Sequence, residues 1–294
     1  MIWHPHTISS VHETFYRLGA TAKTTWLTLT RRRATEHYVT TAPSPQQALD
    51  IFKGEWTSRL PAPLDGCKAG DLPLFGDPRI QWAVDRFGGV ADRRVIELGP
   101  LEGGHSWMLE QLGAAHVTAV EASTRAFLKC LTVKELTGMR RVSFLCGDSV
   151  AYLRDVAANE RFDVGIASGI LYHLVNPVEL IALLAARCDR VFLWTAYYDE
   201  TRIRQRPKLA ARFQGSVPAT HAGFAHTLYR HRYRTALFMP GFSGGSARYS
   251  HWLTRDTILA ACRHVGLTEI ETAFEEPDHP NGPAFALVAR RASA

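Results

Sequence analysis

From residue 93 onward the chain alternates short apolar runs with stretches of helical periodicity, and this rhythm restricts the fold more than any other feature. Strands are expected at residues 95–98, 116–121, 142–146, 162–167 and 190–196. Helices are expected between them at 104–112, 124–136, 150–157 and 177–187. A parallel strand needs a crossover to reach its neighbour, so this alternation specifies a parallel sheet wound on both faces. Downstream, Thr254 opens a helix that Gly266 stops, and residues 267–274 and 284–289 read as two more strands. The expectation is an α/β chain with a mostly parallel seven-stranded sheet that ends in an antiparallel pair.

The flanks are less regular. Residues 43–78 hold Pro43, Pro45, Pro61, Pro63, Pro73 and Pro78 and read as an irregular connection; Asp77-Pro78 then opens a helix over 79–87. Further upstream, Ser10 and Glu13 form a capping-box pattern, and Val11, Phe15, Leu18 and Ala22 share one helical face, as in an accessory helix. Arg31, Arg32 and Arg33 resemble part of a transit peptide, but Glu13 and Glu36 interrupt the pattern. The divisions expected are an extension and linker over 1–78, a core over 79–200, a basic insertion over 201–250 and the remainder of the sheet over 251–294.

Composition narrows the class. With 46% hydrophobic and 21% charged residues the chain suits a globular core, and no apolar run is long enough to span a membrane. Cys67, Cys130, Cys146, Cys188 and Cys262 are scattered and never spaced as CxxC. That speaks against a disulfide framework and a zinc site, and fits reduced thiols in a cytoplasmic protein. His221, His226 and His231 recur every five residues, which on a helix would put them on different faces, so no metal is expected. The net charge of +6 is uneven: residues 201–250 contain nine Lys and Arg and no Asp or Glu. Such a segment suits an anionic partner, and its interleaved aromatics suit stacking as well as burial.

Chemistry gathers at the carboxyl ends of the expected strands. Val95-Ile-Glu97-Leu-Gly99-Pro-Leu-Glu-Gly103-Gly104 is a strand ending in an acid, then a glycine-rich turn, then a helix. Glycines there admit a ligand close to the backbone, and the helix start offers free N–H groups. Leu101 stands where a dinucleotide fingerprint wants its middle glycine, so a pyrophosphate fits poorly and a nicotinamide-cofactor dehydrogenase is disfavoured. Glu121 closes the second strand, where a carboxylate can accept both hydroxyls of a ribose. Gly147-Asp148-Ser149 follows the third strand, and Ser168-Gly-Ile-Leu-Tyr172-His173 follows the fourth. Open α/β sheets bind ligands at this rim.

These residues resemble the successive motifs of class I S-adenosylmethionine-dependent methyltransferases, over about residues 79–200 and more loosely over residues 253–290. The resemblance implies a Rossmann-like doubly wound fold with S-adenosyl-L-methionine as donor. Glu97 and Gly99 would hold its methionine part, with Gly103 close by. Glu121 would take the ribose hydroxyls, Asp148 and Ser149 would face the adenine, and Ser168 would sit near the methionine end. The Leu-Tyr-His run is also similar to the transferases that carboxymethylate a wobble uridine of tRNA.

Methyl transfer needs a base only when the acceptor arrives protonated. Candidates are His173, whose imidazole titrates near neutrality, and Tyr197, beside Tyr198 and Asp199 after the fifth strand; His251 is a weaker one. The acceptor expected is a small or medium-sized polar or anionic molecule. An RNA substrate, such as tRNA, is the alternative, and a non-catalytic partner subunit with the same fold is a third reading.

Overall fold

The computed structural model describes residues 38–156, 160–238 and 244–292. The accessory helix expected around residues 10–22 lies outside them. The chain divides into two units, Met1–Gln47 and Ala48–Ala294, and the architecture below belongs to the second.

Helix α1 (Pro78–Arg86) precedes the alternation β1 (Arg94–Leu98), α2 (Gly104–Gln111), β2 (His116–Glu121), α3 (Thr124–Thr137), β3 (Val142–Cys146), α4 (Ser149–Asp155), β4 (Phe162–Ser168), α5 (Pro177–Arg187) and β5 (Cys188–Ala196). Short helices α6 (Glu200–Arg204) and α7 (Pro207–Ala210) lead to β6 (Phe213–His221), β7 (Phe224–Arg232) and β8 (Tyr249–Trp252). The chain closes with α8 (Arg255–His264), β9 (Glu269–Glu276) and β10 (Ala284–Arg290). The main sheet has seven strands in the order β3-β2-β1-β4-β5-β10-β9. Strands β1 to β5 are parallel, and β10 runs against both of its neighbours. The late strands are thus antiparallel to each other, and β10 alone opposes the sheet.

Side chains alternate across the pleat, so adjacent apolar residues feed opposite layers. Val95, Val117, Val164, Phe192 and Trp194 meet Ile80, Val84 and Leu109 on one face. Ile96, Leu98, Val120, Val191 and Leu193 meet Leu180, Ile181, Leu184 and Ile258 on the other. Asp77 caps α1 by accepting from Arg79 N, and Thr254 caps α8, at the two starts read from sequence.

The insertion departs from expectation: it is a second sheet of three antiparallel strands, β6-β7-β8. His226 and His231 therefore lie on a strand, not on helical faces, and the third strand crosses residue 250. His221 pairs with Phe224 across a two-residue loop, Ala222-Gly223, with φ of 47° and 80°. Two left-handed residues match the twist of a tight hairpin. Alanine in the first of them hid the turn from sequence.

The Pro-rich stretch has little regular structure beyond Pro45–Asp50 and the turn Leu74–Gly76, yet part of it is tied down firmly. Glu102, fully buried, accepts from Thr57 N at 2.9 Å, from Ser58 N at 2.8 Å and from Lys129 Nζ at 2.9 Å. Lys129 also donates to Glu55 O at 2.6 Å. This buried ion pair fastens residues 55–58 over the turn that follows β1. Removing one partner leaves the other charge buried and alone, which costs about 3–5 kcal/mol. Lys129→Met is therefore expected to lower stability on that scale in urea unfolding, with partial recovery in Glu102→Gln/Lys129→Met. Equal stability of the single variant and the parent would contradict this account.

Candidate active site

The turn after β1 is built from backbone that side chains rarely adopt. Gly99, Leu101 and Gly103 have φ of 71°, 56° and 80°. A Cβ on Gly103 would lie 3.0 Å from the Phe144 ring, so the closeness required there is to the third strand. Leu101 has no glycine's freedom and is held instead by its partners. Its N–H donates to Glu121 Oε2 at 3.0 Å, and its carbonyl faces Cys130 Sγ at 3.6 Å.

Glu121 ends β2 almost fully buried. Its other oxygen accepts from Ser123 N at 2.8 Å. Burial pushes its carboxyl above the ordinary glutamate range, against the opposing pull of those N–H groups. Each oxygen has thus accepted one backbone N–H and keeps further acceptor capacity.

Glu97 lies on the neighbouring strand with 1% exposure. Ser106 Oγ donates to its Oε2, and His105 Nδ1 faces its Oε1 at 3.6 Å. The other nitrogen of His105 meets Asp77 Oδ2 at 3.0 Å. Asp77 in turn binds Arg79 through Nε at 2.9 Å and Nη2 at 2.5 Å, and the Arg79 guanidinium lies 4.4 Å from the Trp194 ring. Burial raises the Glu97 carboxyl, with His105 and Ser106 opposing it. Burial also pushes Asp77 upward, but hydrogen bonds from His105 and Arg79 outweigh it and hold that carboxyl well below the ordinary range. The chain Glu97–His105–Asp77–Arg79 was invisible in the sequence, because its members belong to different elements and form no spaced motif.

Asp148 stands on the same rim, where Gly147 N bonds to Glu121 O at 2.9 Å. It is exposed and caps α4, accepting from Ala151 N at 2.8 Å through one oxygen. Ser149 is buried with its hydroxyl turned to Val120 O at 3.4 Å. Ser168 ends β4 opposite Trp194, and Gly169 follows with φ of 81°.

The other half of the rim is aromatic. Tyr172 and His173 occupy a single turn, Leu171–His173, with ring centroids 4.2 Å apart. Tyr172 also meets Trp194 and Trp252 edge-on at 6.2 and 5.9 Å. His173 Nδ1 lies 3.0 Å from Tyr233 Oη. Burial lowers the imidazoles of His173 and His231 to about 4 each. Tyr197, read as a candidate beside His173, is 7% exposed and packs edge-on against Phe285 in the layer with Leu228 and Leu253. Its position is that of a core residue. Tyr198 stacks on Tyr229 at 3.7 Å, and Asp199 caps α6. His251 is buried with Nδ1 on Val175 O at 2.7 Å.

No protein-family model matches the chain. It is 28% identical over 137 residues to the tRNA U34 carboxymethyltransferase of Shewanella pealeana and 27% identical over the same length to that of Shewanella halifaxensis. Each match covers 46% of this chain and 39% of the relative, so it spans about two fifths of the curated proteins. In structure the chain is similar to the N-terminal domain of EvdMO1, crystallised in the presence of SAH and D-fucose. The TM-score is 0.64 at 20% identity, covering 84% of this chain and 95% of that one. The structure of EvdMO1 itself gives 0.54 at 19% identity over 84% of this chain and 46% of that one.

The depressed histidines make a testable link between pH and stability. Unfolded, an imidazole binds its proton below about 6.5; folded, His231 does so only near 4. Between those values the unfolded state holds more protons, so this contribution to stability is lost as pH falls. The slope is at most about 1.4 kcal/mol per pH unit. The stability difference between the parent and His231→Asn is expected to shrink between pH 6.5 and 4.5 in urea titrations. A constant difference would exclude a buried neutral His231. The seven-stranded sheet, its one reversed strand and the three-dimensional likeness together give the chain the class I methyltransferase fold.

Proposed function

We propose that this chain is an S-adenosyl-L-methionine-dependent methyltransferase whose acceptor is a small or medium-sized polar molecule. The observation that carries the proposal is the gathering of Glu97, the Gly99–Gly103 turn, Glu121 and Asp148 on one rim of this fold. The donor set fits the group. Glu97 is a buried carboxylate suited to an ammonium; Glu121 keeps acceptor capacity for ribose hydroxyls; Asp148 has a free oxygen for an amino group. A side chain at Gly99 would approach Ile170 at 3.8 Å, beside the methionine end. Ser168 and Gly103 would border that end, while Ser149 spends its hydroxyl on the sheet. When bound, the sulfonium supplies an activated methyl group.

The chain's own task is to orient the acceptor, exclude water and take a proton where the nucleophile carries one. His173 is the group proposed for that proton, since its imidazole stays neutral through the physiological range. Tyr197 keeps a packing role. Among the aromatic residues around Tyr172 and Tyr233, the indole N–H of Trp194, that of Trp252 and Nδ1 of His231 are buried and have no hydrogen-bond partner among the described residues. The two indole donors call for acceptor atoms from elsewhere.

A tRNA acceptor is the second reading, favoured by the likeness to the U34 enzymes. Much of the basic segment is engaged internally, which weighs against it. Arg202 pairs with Asp278, Arg204 with Glu200, and Arg206 donates to the carbonyls of His279 and Pro280. Arg232 donates to Gln214, and Arg234 to Ala211 O.

Calorimetry with S-adenosylmethionine tests the main reading. Binding is expected in the parent, and Asp148→Ala and Glu121→Ala should each weaken it by about 1–3 kcal/mol. Absence of binding in the folded parent would leave a non-catalytic member of the fold instead. Salt-sensitive tRNA binding in gel shifts would move the acceptor to RNA.

A further inference from the structure

Four carboxylates lie buried around the turn after β1: Asp77, Glu97, Glu102 and Glu121, none more than 8% exposed. Two permanent cations answer them. Lys129 pairs with Glu102 at 2.9 Å, and Arg79 holds Asp77. Glu121 has no cation within ion-pair distance among the described residues and takes backbone N–H groups instead. Glu97 has His105 as its ionic neighbour, and the charge of an imidazole depends on a proton. Buried charge is costly unless paired, so the count fails to close at Glu97.

Both nitrogens of His105 face carboxylates. Nε2 lies 3.0 Å from Asp77 Oδ2, and Nδ1 lies 3.6 Å from Glu97 Oε1. Asp77 already accepts from the N, Nε and Nη2 of Arg79, and its carboxyl is held well below the ordinary range. An ionised carboxylate can only accept, so Nε2 carries a hydrogen. On the other side, Glu97 accepts from both the hydroxyl and the backbone N–H of Ser106. A bare Nδ1 would turn its lone pair on a carboxylate oxygen across a gap too narrow for a water to stand in line between them. One proton in that gap relieves the repulsion in either of two forms, imidazolium beside carboxylate or imidazole beside carboxylic acid.

We propose that His105 and Glu97 hold one exchangeable proton between them, and that the ammonium group of the methyl donor replaces it, the proton leaving to solvent as the donor binds. His105 is then a positioning residue of the donor site. The pair is surrounded by Glu121 from β2, Glu102 from the turn, Lys129 and Cys130 from α3, and Asp77 and Arg79 from the start of α1. Burial keeps the Cys130 thiol neutral, so Asp77, Glu102 and Glu121 outnumber Lys129 and Arg79. That surplus favours a cation at Glu97, whether a proton or an ammonium. The two compete, so donor affinity falls as pH falls, by at most about tenfold per unit. The exchange rests on the methyl-donor reading; the held proton does not.

The donor-free protein is measured first, at pH 7, by nitrogen NMR of 15N-labelled histidine and by infrared spectroscopy. Nε2 of His105 should be protonated. With it should come either a protonated Nδ1 or a carboxylic-acid C=O stretch that vanishes in Glu97→Gln. A bare Nε2, or the absence of both further signals, would overturn the proposal, and neither result depends on a variant. Calorimetry with S-adenosylmethionine at pH 6.5, where an α-ammonium is itself charged, then counts protons in buffers of different ionisation enthalpy. The parent should release about half to one proton per donor bound, and His105→Gln less than half as much as the parent. No release from the parent would overturn the exchange, and equal release from His105→Gln would strike His105 from it. A parent that shows the held proton but binds no donor would sink the methyl-donor reading and the exchange with it, and leave the held proton standing.

Discussion

The hydrogen bond from Leu101 N to Glu121 Oε2 joins the turn after β1 to the end of β2, and the rim takes its shape from that join. A side chain in the left-handed region costs roughly 1–2 kcal/mol, and glycine would avoid that cost. Leu101 adopts that conformation because the surroundings over-determine it. Glu121 takes its N–H, Cys130 approaches its carbonyl, and the next residue, Glu102, is fixed by Lys129 and by the N–H groups of Thr57 and Ser58. The irregular segment before the sheet is thereby part of the rim's construction.

The same join explains why one carboxylate serves two purposes. Taken alone, an acid ending a second strand reads as a ligand for a ribose. In the folded chain Glu121 first organises backbone, one N–H to each oxygen, and only its remaining acceptor capacity faces outward. Losing it would disturb the turn as well as the ligand contacts. A binding measurement on that residue therefore needs Asp148, which caps a helix but leaves the turn alone, as its companion.

What could be read from sequence was local. Strand ends, the Thr254 and Asp77 caps and the glycine turn announce themselves within a few residues, because period, capping and left-handed backbone are short-range matters. Pairings between distant segments do not. His105 with Asp77, Glu102 with Lys129 and Tyr233 with His173 are 28, 27 and 60 residues apart, and none forms a motif. The inserted sheet was missed for a related reason. Phe224, His226 and Leu228 do alternate, but basic residues, histidines and the unassuming Ala222-Gly223 turn hide the alternation. Tyr197, an aromatic just past a strand end, has Phe285 of the reversed strand β10 packed edge-on against it, a long-range contact no local pattern announces.

The two halves of the rim differ in electrostatic character. On the side of β1 and β2, Glu97, Glu121 and Glu102 crowd near Cys130, whose thiol is pushed far upward by burial and by those three charges. Lys129 and the His105–Asp77–Arg79 chain offset part of that negative field. Around His173 the field is weak: its imidazole is shifted by burial alone, and its neighbours are rings. A cationic guest is thus stabilised at one end, while the other end offers polar contacts without charge. Low dielectric strengthens hydrogen bonds as much as it penalises unpaired ones. At an aromatic wall without carboxylates, a polar guest would therefore meet rings, two buried indole N–H groups and a neutral imidazole rather than a charged partner.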